Sequence, residues 1–84
     1  MVFTFPMSFY QCFVKVDKTT VVFSTVELNP TVNELKTFIW DRLGIKPEKQ
    51  ICKYGGKIVK NDVVLKDKIM QDGTVYVYLN THSN

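Results

Sequence analysis

The chain has 84 residues, of which 45% are hydrophobic and 23% charged, and its formal net charge is +3. A chain of this length forms one domain, and the composition excludes a low-complexity or collagen-like protein. The basic residues are spread along the sequence, so the slight positive balance favours a solvated surface over a nucleic-acid-binding patch.

The beginning of the chain does not read as a targeting segment. Residues 1–8 have no basic region, and Pro6 interrupts their short apolar run, so we expect no signal peptide. No apolar run reaches the ~20 residues that span a bilayer. Cys12 and Cys52 lie in apolar, strand-like stretches, and we interpret them as reduced core thiols, which favours the cytosol or the nucleus.

The first third of the chain predicts a β-hairpin. Residues 9–16 and 21–26 are rich in aromatic and β-branched side chains, which are typical of strands. The polar residues 17–20 between them have the length of a hairpin turn. Pro30 then ends the second strand, because proline supplies no N–H to a sheet.

A helix is predicted over about residues 31–43. Thr31 and Glu34 have the spacing of a capping box, in which the Thr hydroxyl accepts from the backbone and the Glu carboxylate reaches back. Apolar residues follow at helical spacing and form one stripe. Gly44 stands where a glycine commonly ends a helix, and Pro47 prevents its prompt resumption.

The second half of the chain predicts three further strands. We place them at 49–53, 58–59 and 74–79, with turns at 54–57 and 61–62 and a short helical turn within 63–70. This divides the chain into an extension (1–8), a domain (9–80) and a polar tail (81–84).

The alternation of apolar residues predicts the core. Its members are expected to be Cys12, Val14, Val22, Val26, Val32, Leu35, Ile39, Cys52, Val59, Leu65, Val75 and Val77. The second strand conflicts with this pattern, since Ser24 would then point inward and Phe23 outward. Either a bulge exchanges the two faces, or the phenyl ring is exposed.

Several stretches resemble ubiquitin and its relatives in order and spacing. Cys12-Phe13-Val14-Lys15 is similar to the family's opening Ile-Phe-Val-Lys, and Tyr54-Gly55-Gly56-Lys57 to its Phe-Ala-Gly-Lys turn. The spacing is kept without a gap from about Gln11 to Asp67. The resemblance implies an α+β, ubiquitin-like β-grasp fold, a mixed five-stranded sheet packed on one helix, and it is closest to the members that are not conjugated.

The end of the chain departs from the conjugated relatives. Those end in Gly-Gly, because the tail must thread a channel that accepts no side chain, whereas Ser83 and Asn84 stand here instead. We therefore expect no covalent attachment through this terminus. We also expect no enzyme activity, no metal and no cofactor, since the one histidine, His82, lies in the tail and the carboxylates are scattered.

The outer face of the sheet is where partners of ubiquitin dock. The resemblance places its aliphatic patch on Asp17, Lys53, Tyr76 and Tyr78, two of which are charged, so receptors of ubiquitin should bind poorly. Alternation nevertheless places several large apolar and aromatic side chains on this outer face, and Val21 is one of them. A contiguous set of such side chains on a protein surface usually marks a binding site. We predict that this face binds another protein through Phe13, Lys15, Phe23, Ile51, Lys53, Tyr76 and Tyr78.

Other interpretations of the outer face and of the function are also compatible with the sequence. Phe3 and Phe5 of the extension could cover the face, and Phe38 and Trp40, which flank the helix stripe, could form a second contact site or seal the core edges. The domain could belong to a larger protein that recruits proteasome or ligase machinery. It could also be a basic nucleic-acid or ribosome-associated module, given the lysines and tyrosines on one face. We expect a monomer, with no membrane partner.

Overall fold

The computed structural model of the chain describes residues 9–80. The predicted extension and tail lie outside these residues. The elements, in chain order, are β1 (Tyr10–Val16), β2 (Thr19–Thr25), α1 (Val32–Leu43), a 3-10 turn (Pro47–Lys49), β3 (Gln50–Tyr54), β4 (Lys57–Ile58), α2 (Leu65–Lys68) and β5 (Thr74–Leu79).

The five strands form one mixed sheet in the order β2-β1-β5-β3-β4. β1 and β5 are parallel neighbours at its centre, and the other pairs are antiparallel. Helix α1 buries Val32, Leu35 and Ile39 in the core that it shares with the inner face of the sheet. The predicted architecture, a mixed five-stranded sheet on one main helix, is confirmed.

Local signals fix both ends of α1. The Thr31 hydroxyl accepts from the Glu34 N–H at 3.4 Å, and Gly44 adopts the left-handed conformation (φ +76°) while donating to the Trp40 carbonyl at 2.8 Å. The second half of the capping box is not formed. The Glu34 carboxyl instead lies near the Glu27 carboxyl, and hydrogen bonding and charge repulsion between the two raise the pKa of Glu27.

The structure shows neither of the two arrangements expected for the second strand, a bulge or an exposed Phe23 ring. The β1–β2 pairing runs without interruption from Tyr10↔Thr25 to Val16↔Thr19 and contains no bulge, because the turn holds only Asp17 and Lys18. This register sets Phe23 opposite Cys12, on the inner face, where its ring is buried. Ser24 is exposed.

The core agrees with the prediction at ten of the twelve expected positions. Val22 and Val26 are the exceptions: Val22 faces outward opposite Phe13, and Val26 lies beyond the end of β2. Tyr10, Val16, Phe23 and Ile69 occupy the core in addition. Tyr10 can be buried because its hydroxyl donates to the Ile69 carbonyl at 3.0 Å.

Candidate functional site

Strand pairing brings six of the seven predicted site residues onto the outer face of the sheet. Tyr76 on β5 lies between Lys15 on β1 and Lys53 on β3, because it is the direct partner of both. Tyr78 is the partner of Ile51 in the same way. Phe13 stands on β1 two residues before Lys15, and therefore on the same face.

Phe23, the seventh predicted residue, does not belong to this face, because the uninterrupted hairpin register turns its ring into the core. There the ring packs edge-on against Phe38 of α1, with 5.1 Å between the ring centroids. Val21 shares the inner side and packs against the core.

Two aliphatic residues that were not predicted at the outer face complete it: Val22, which was expected in the core, and Ile58. Val22 is the partner of Phe13, and Ile58 on β4 is the partner of Lys53. The two-residue length of the Asp17-Lys18 turn would have revealed Val22, since hairpin length sets register. We define the outer sheet face as Phe13, Lys15, Val22, Ile51, Lys53, Ile58, Tyr76 and Tyr78.

The outer sheet face is exposed to solvent, and its charged residues are all cations. Tyr76 is 45% exposed and Tyr78 51%. The Lys53 ammonium lies 5.3 Å from the centroid of the Tyr78 ring, within the range of a cation–π contact. No Asp or Glu stands at an outward position of the five strands. The face therefore combines aromatic and aliphatic area with two cations.

Phe38 and Trp40 on α1 have different roles. Phe38 is half-buried against Phe23, and the Arg42 guanidinium lies 5.4 Å from its ring centroid, so Phe38 seals an edge of the core. Trp40 is 48% exposed beside Thr37 and Asp41, on the helix that covers the opposite side of the sheet.

A second group of polar side chains lies between α1 and β3. Lys36 is buried on α1, and the Gln50 amide nitrogen donates to the carbonyls of Lys36 (2.9 Å) and Ile45 (2.8 Å). The Gln50 Oε1 atom is buried and accepts no hydrogen bond within residues 9–80. Sequence patterns missed this group, because Lys36 and Gln50 look like ordinary polar positions.

The two cysteines are buried and free. β5 lies between β1 and β3, so Cys12 and Cys52 stand on strands that are about 10 Å apart. They are also offset along the sheet, because Cys52 is level with Val16 through Val77, and a disulfide is out of reach. Burial raises the pKa of Cys12 from 9.0 to about 11, although a hydrogen bond with Tyr10 opposes the shift. Burial also raises the pKa of Cys52, against the lowering effect of Lys36. At neutral pH both are protonated thiols and poor nucleophiles.

Within the described part of the chain, no three His, Cys, Asp or Glu side chains are grouped so that they could hold a metal ion. Among the same residues, no helix combines the length and apolar character needed to cross a membrane.

Residues 9–80 form a ubiquitin-like β-grasp domain, which is defined by the order of the strands, by the long helix α1 across the inner face of the sheet and by the short edge strand β4. The model of the ubiquitin family matches residues 12–82 of the chain. The chain belongs to the ubiquitin family. A search of curated proteins found no match. Members of the family are in general not enzymes, and their domains commonly mediate protein interactions.

Proposed function

We propose that the chain is a non-catalytic protein-binding module, an adaptor or a subunit, that holds its partner through the outer sheet face. The observation that carries this proposal is the row Lys15–Tyr76–Lys53 across three adjacent strands, with aromatic and aliphatic side chains on either side of it. A contiguous exposed group of this kind marks binding surfaces on small proteins.

The chemistry of the face supports a protein as the partner. Tyrosine supplies large apolar area together with a hydrogen-bonding hydroxyl, and loses little conformational freedom when it is buried. The contact between Lys53 and Tyr78 restricts the Lys53 side chain before a partner binds. The entropy that this side chain would otherwise lose on binding is therefore partly lost already in the free protein. The face carries two lysines, and no Asp or Glu stands at an outward position of the strands. This charge favours a partner with an acidic surface.

In the same proposal the partner is bound without a covalent bond. Support comes from residues 80–84, which follow β5 and contain no glycine, whereas the conjugated relatives carry Gly-Gly in this region. The two buried thiols support a reducing compartment, the cytosol or the nucleus.

The proposal is tested by capturing an N-terminally tagged chain from its native cells, under native and under denaturing washes. We expect specific partners only under the native wash, and their loss in Tyr76→Glu. The matched control is Trp40→Glu, which also replaces a half-exposed aromatic residue, on the other side of the domain.

Three results would overturn the proposal. Loss of the partners in Trp40→Glu with retention in Tyr76→Glu would place the binding site on the helix. Adducts that survive denaturation through the chain's own carboxyl end would show conjugation. Capture that disappears on nuclease treatment and falls steeply with salt would show a nucleic-acid-binding module.

A further inference from the structure

An open cleft of about 430 Å³ is lined by residues of β3, β4, the segment after β4 and α2. Its apolar lining consists of Tyr54, Ile58, Val59 and Val63. Val59 is buried in the core, Tyr54 and Val63 are partly buried against the core, and Ile58 is 63% exposed. The cleft therefore offers an apolar surface that is anchored on the core and open to solvent.

Backbone hydrogen bonds hold the apolar wall of this cleft in place. The Val59 N–H donates to the Cys52 carbonyl at 2.9 Å, and the Val63 N–H donates to the Lys60 carbonyl at 3.2 Å. The Val63 carbonyl accepts from the Val32 N–H at 2.9 Å, which ties the segment after β4 to the first turn of α1. The cleft is therefore formed before a ligand binds, and little ordering is left to oppose binding.

Three lysines complete the lining of the cleft: Lys57, Lys60 and Lys68. All three are exposed, and within residues 9–80 none of them forms an ion pair. Among the described residues that line the cleft there is no Asp or Glu. A cleft with apolar walls and charges of one sign concentrates the electric field and attracts ligands of the opposite sign.

We propose that this cleft binds an acidic peptide segment of another protein, in which one aliphatic or aromatic side chain stands between Asp or Glu residues. The apolar side chain is buried against the apolar lining, and the flanking carboxylates pair with the lysines. Two other occupants are not complementary in charge. Residues 1–8 and 81–84 contain no Asp or Glu, and a second copy of the chain carries a net charge of +3.

The lining favours a peptide over a single-stranded nucleic acid. Such strands are held by a basic groove together with exposed aromatic rings on which the bases stack. Tyr54 is the one aromatic residue among the described lining residues, and it is partly buried. It also packs against Gly73, where an added Cβ would stand 3.0 Å from the Tyr54 hydroxyl oxygen. The ring is therefore part of the wall and not a platform for stacking.

This inference goes beyond the outer sheet face, with which the cleft shares Ile58. Isotope-labelled protein is titrated at constant ionic strength with the capped peptide Asp-Glu-Leu-Glu-Asp, while the backbone amide NMR signals are followed. We expect saturable shifts centred on Lys60, Val63 and Lys68.

Two comparison peptides separate charge from apolar contact on the unaltered protein. Capped Asn-Gln-Leu-Gln-Asn lacks the carboxylates, and capped Asp-Glu-Ala-Glu-Asp lacks the large apolar side chain. Each should bind about five- to tenfold more weakly than the acidic leucine peptide, because each keeps one of the two contributions.

A matched pair of triple variants tests the lysines. The first replaces those of the cleft: Lys57→Gln, Lys60→Gln and Lys68→Gln. The control makes the same change at three exposed lysines that do not line the cleft: Lys18→Gln, Lys46→Gln and Lys49→Gln. The first should weaken binding of the acidic leucine peptide about tenfold or more, and the control, with the same net charge, about twofold or less.

Four results would overturn the inference: no saturable shift, an equal response to either comparison peptide, an equal loss in the two triple variants, or tighter binding of a short oligothymidylate, which would indicate a nucleic-acid site. Shifts centred on Lys15 and Tyr76, with none at the cleft, would also overturn it and leave the proposed function standing. The titration uses no captured partner, so failure of the capture experiment on Tyr76→Glu would leave its result unaffected.

Discussion

The ammonium of Lys53 lies 5.3 Å from the centroid of the Tyr78 ring. Tyr78 stands on β5 two residues beyond Tyr76, which is the direct cross-strand partner of Lys53. The negative face of an aromatic ring attracts a cation and compensates part of its lost hydration. Lys53 can therefore stand within an aromatic surface at the position where the relatives carry an aliphatic residue. Burial of this lysine beneath a partner is less costly than burial of an isolated ammonium.

This contact is open to a double-mutant cycle. We expect Lys53→Met and Tyr78→Leu to be coupled by about 0.5 kcal/mol in the free energy of unfolding, the range for an exposed cation–π pair. Urea unfolding of the two single variants and the double variant measures the coupling. The pair Lys15→Met and Tyr78→Leu is the control, and coupling as large there as in the first cycle would contradict the assignment.

Phe23 is a core residue. Phe23→Ala should lower the free energy of unfolding by about 3 to 5 kcal/mol, because it removes a buried ring that packs on Phe38. Its exposed neighbour provides the control: Ser24→Ala should change stability by less than about 0.5 kcal/mol. Urea unfolding of both variants tests the register of the hairpin, and a larger loss at Ser24 than at Phe23 would contradict it.

The left-handed conformation of Gly44 makes the end of α1 sensitive to substitution. A Cβ at Gly44 would meet nothing within 4 Å, so the penalty of Gly44→Ala comes from the backbone alone and should be about 1 kcal/mol. Gly44→Asn should lose less, since asparagine tolerates this conformation better. Thermal or urea unfolding compares the two, and equal stability of Gly44→Ala and the unaltered protein would show that the cap is not needed.

The buried thiols make stability fall at alkaline pH. In the folded state burial raises the pKa of Cys12 from 9.0 to about 11, and it raises those of Tyr10 and Cys52 as well. The unfolded chain therefore loses these protons first. Stability from this source is complete below pH 9.0 and is lost as the pH rises towards 11.

For Cys12 alone the loss should reach about 2 to 3 kcal/mol in the free energy of unfolding. Urea unfolding from neutral to alkaline pH measures it. Cys12→Val should reduce the slope, and a stability that stays constant up to pH 11 would contradict the burial of these groups.

Sequence signals were sufficient where they were local. The N-cap Thr31 and the C-terminal Gly44 fixed α1, and strict alternation fixed β5 from Thr74 to Leu79. In β2, by contrast, Val21, Val22 and Phe23 are adjacent and all apolar, so alternation carries no information about the faces. The hairpin register decides them, and it depends on the pairing of two separate segments.

The candidate site was predictable from the sequence only where alternation within a strand determines which way a side chain faces. Positions on β1, β3 and β5 follow from alternation, and these strands hold the six of the seven predicted residues that do lie on the outer face. Ile58 was missed as a member of the face because β4 has two residues, too few for a pattern. The group around Lys36 and Gln50 depends on contacts between helix and sheet across 14 positions of sequence, which no local pattern reveals.

The central claim is that the outer sheet face is covered by a partner, and a lysine footprint tests it most directly. The captured complex and the free chain are acetylated briefly under native conditions, and modification of each lysine is quantified by mass spectrometry. Lys15 and Lys53, on the face, should be protected in the complex, whereas Lys46 and Lys66, exposed elsewhere, should react as in the free chain. Unchanged reactivity at Lys15 and Lys53, with protection at Lys46 or Lys66, would contradict the account.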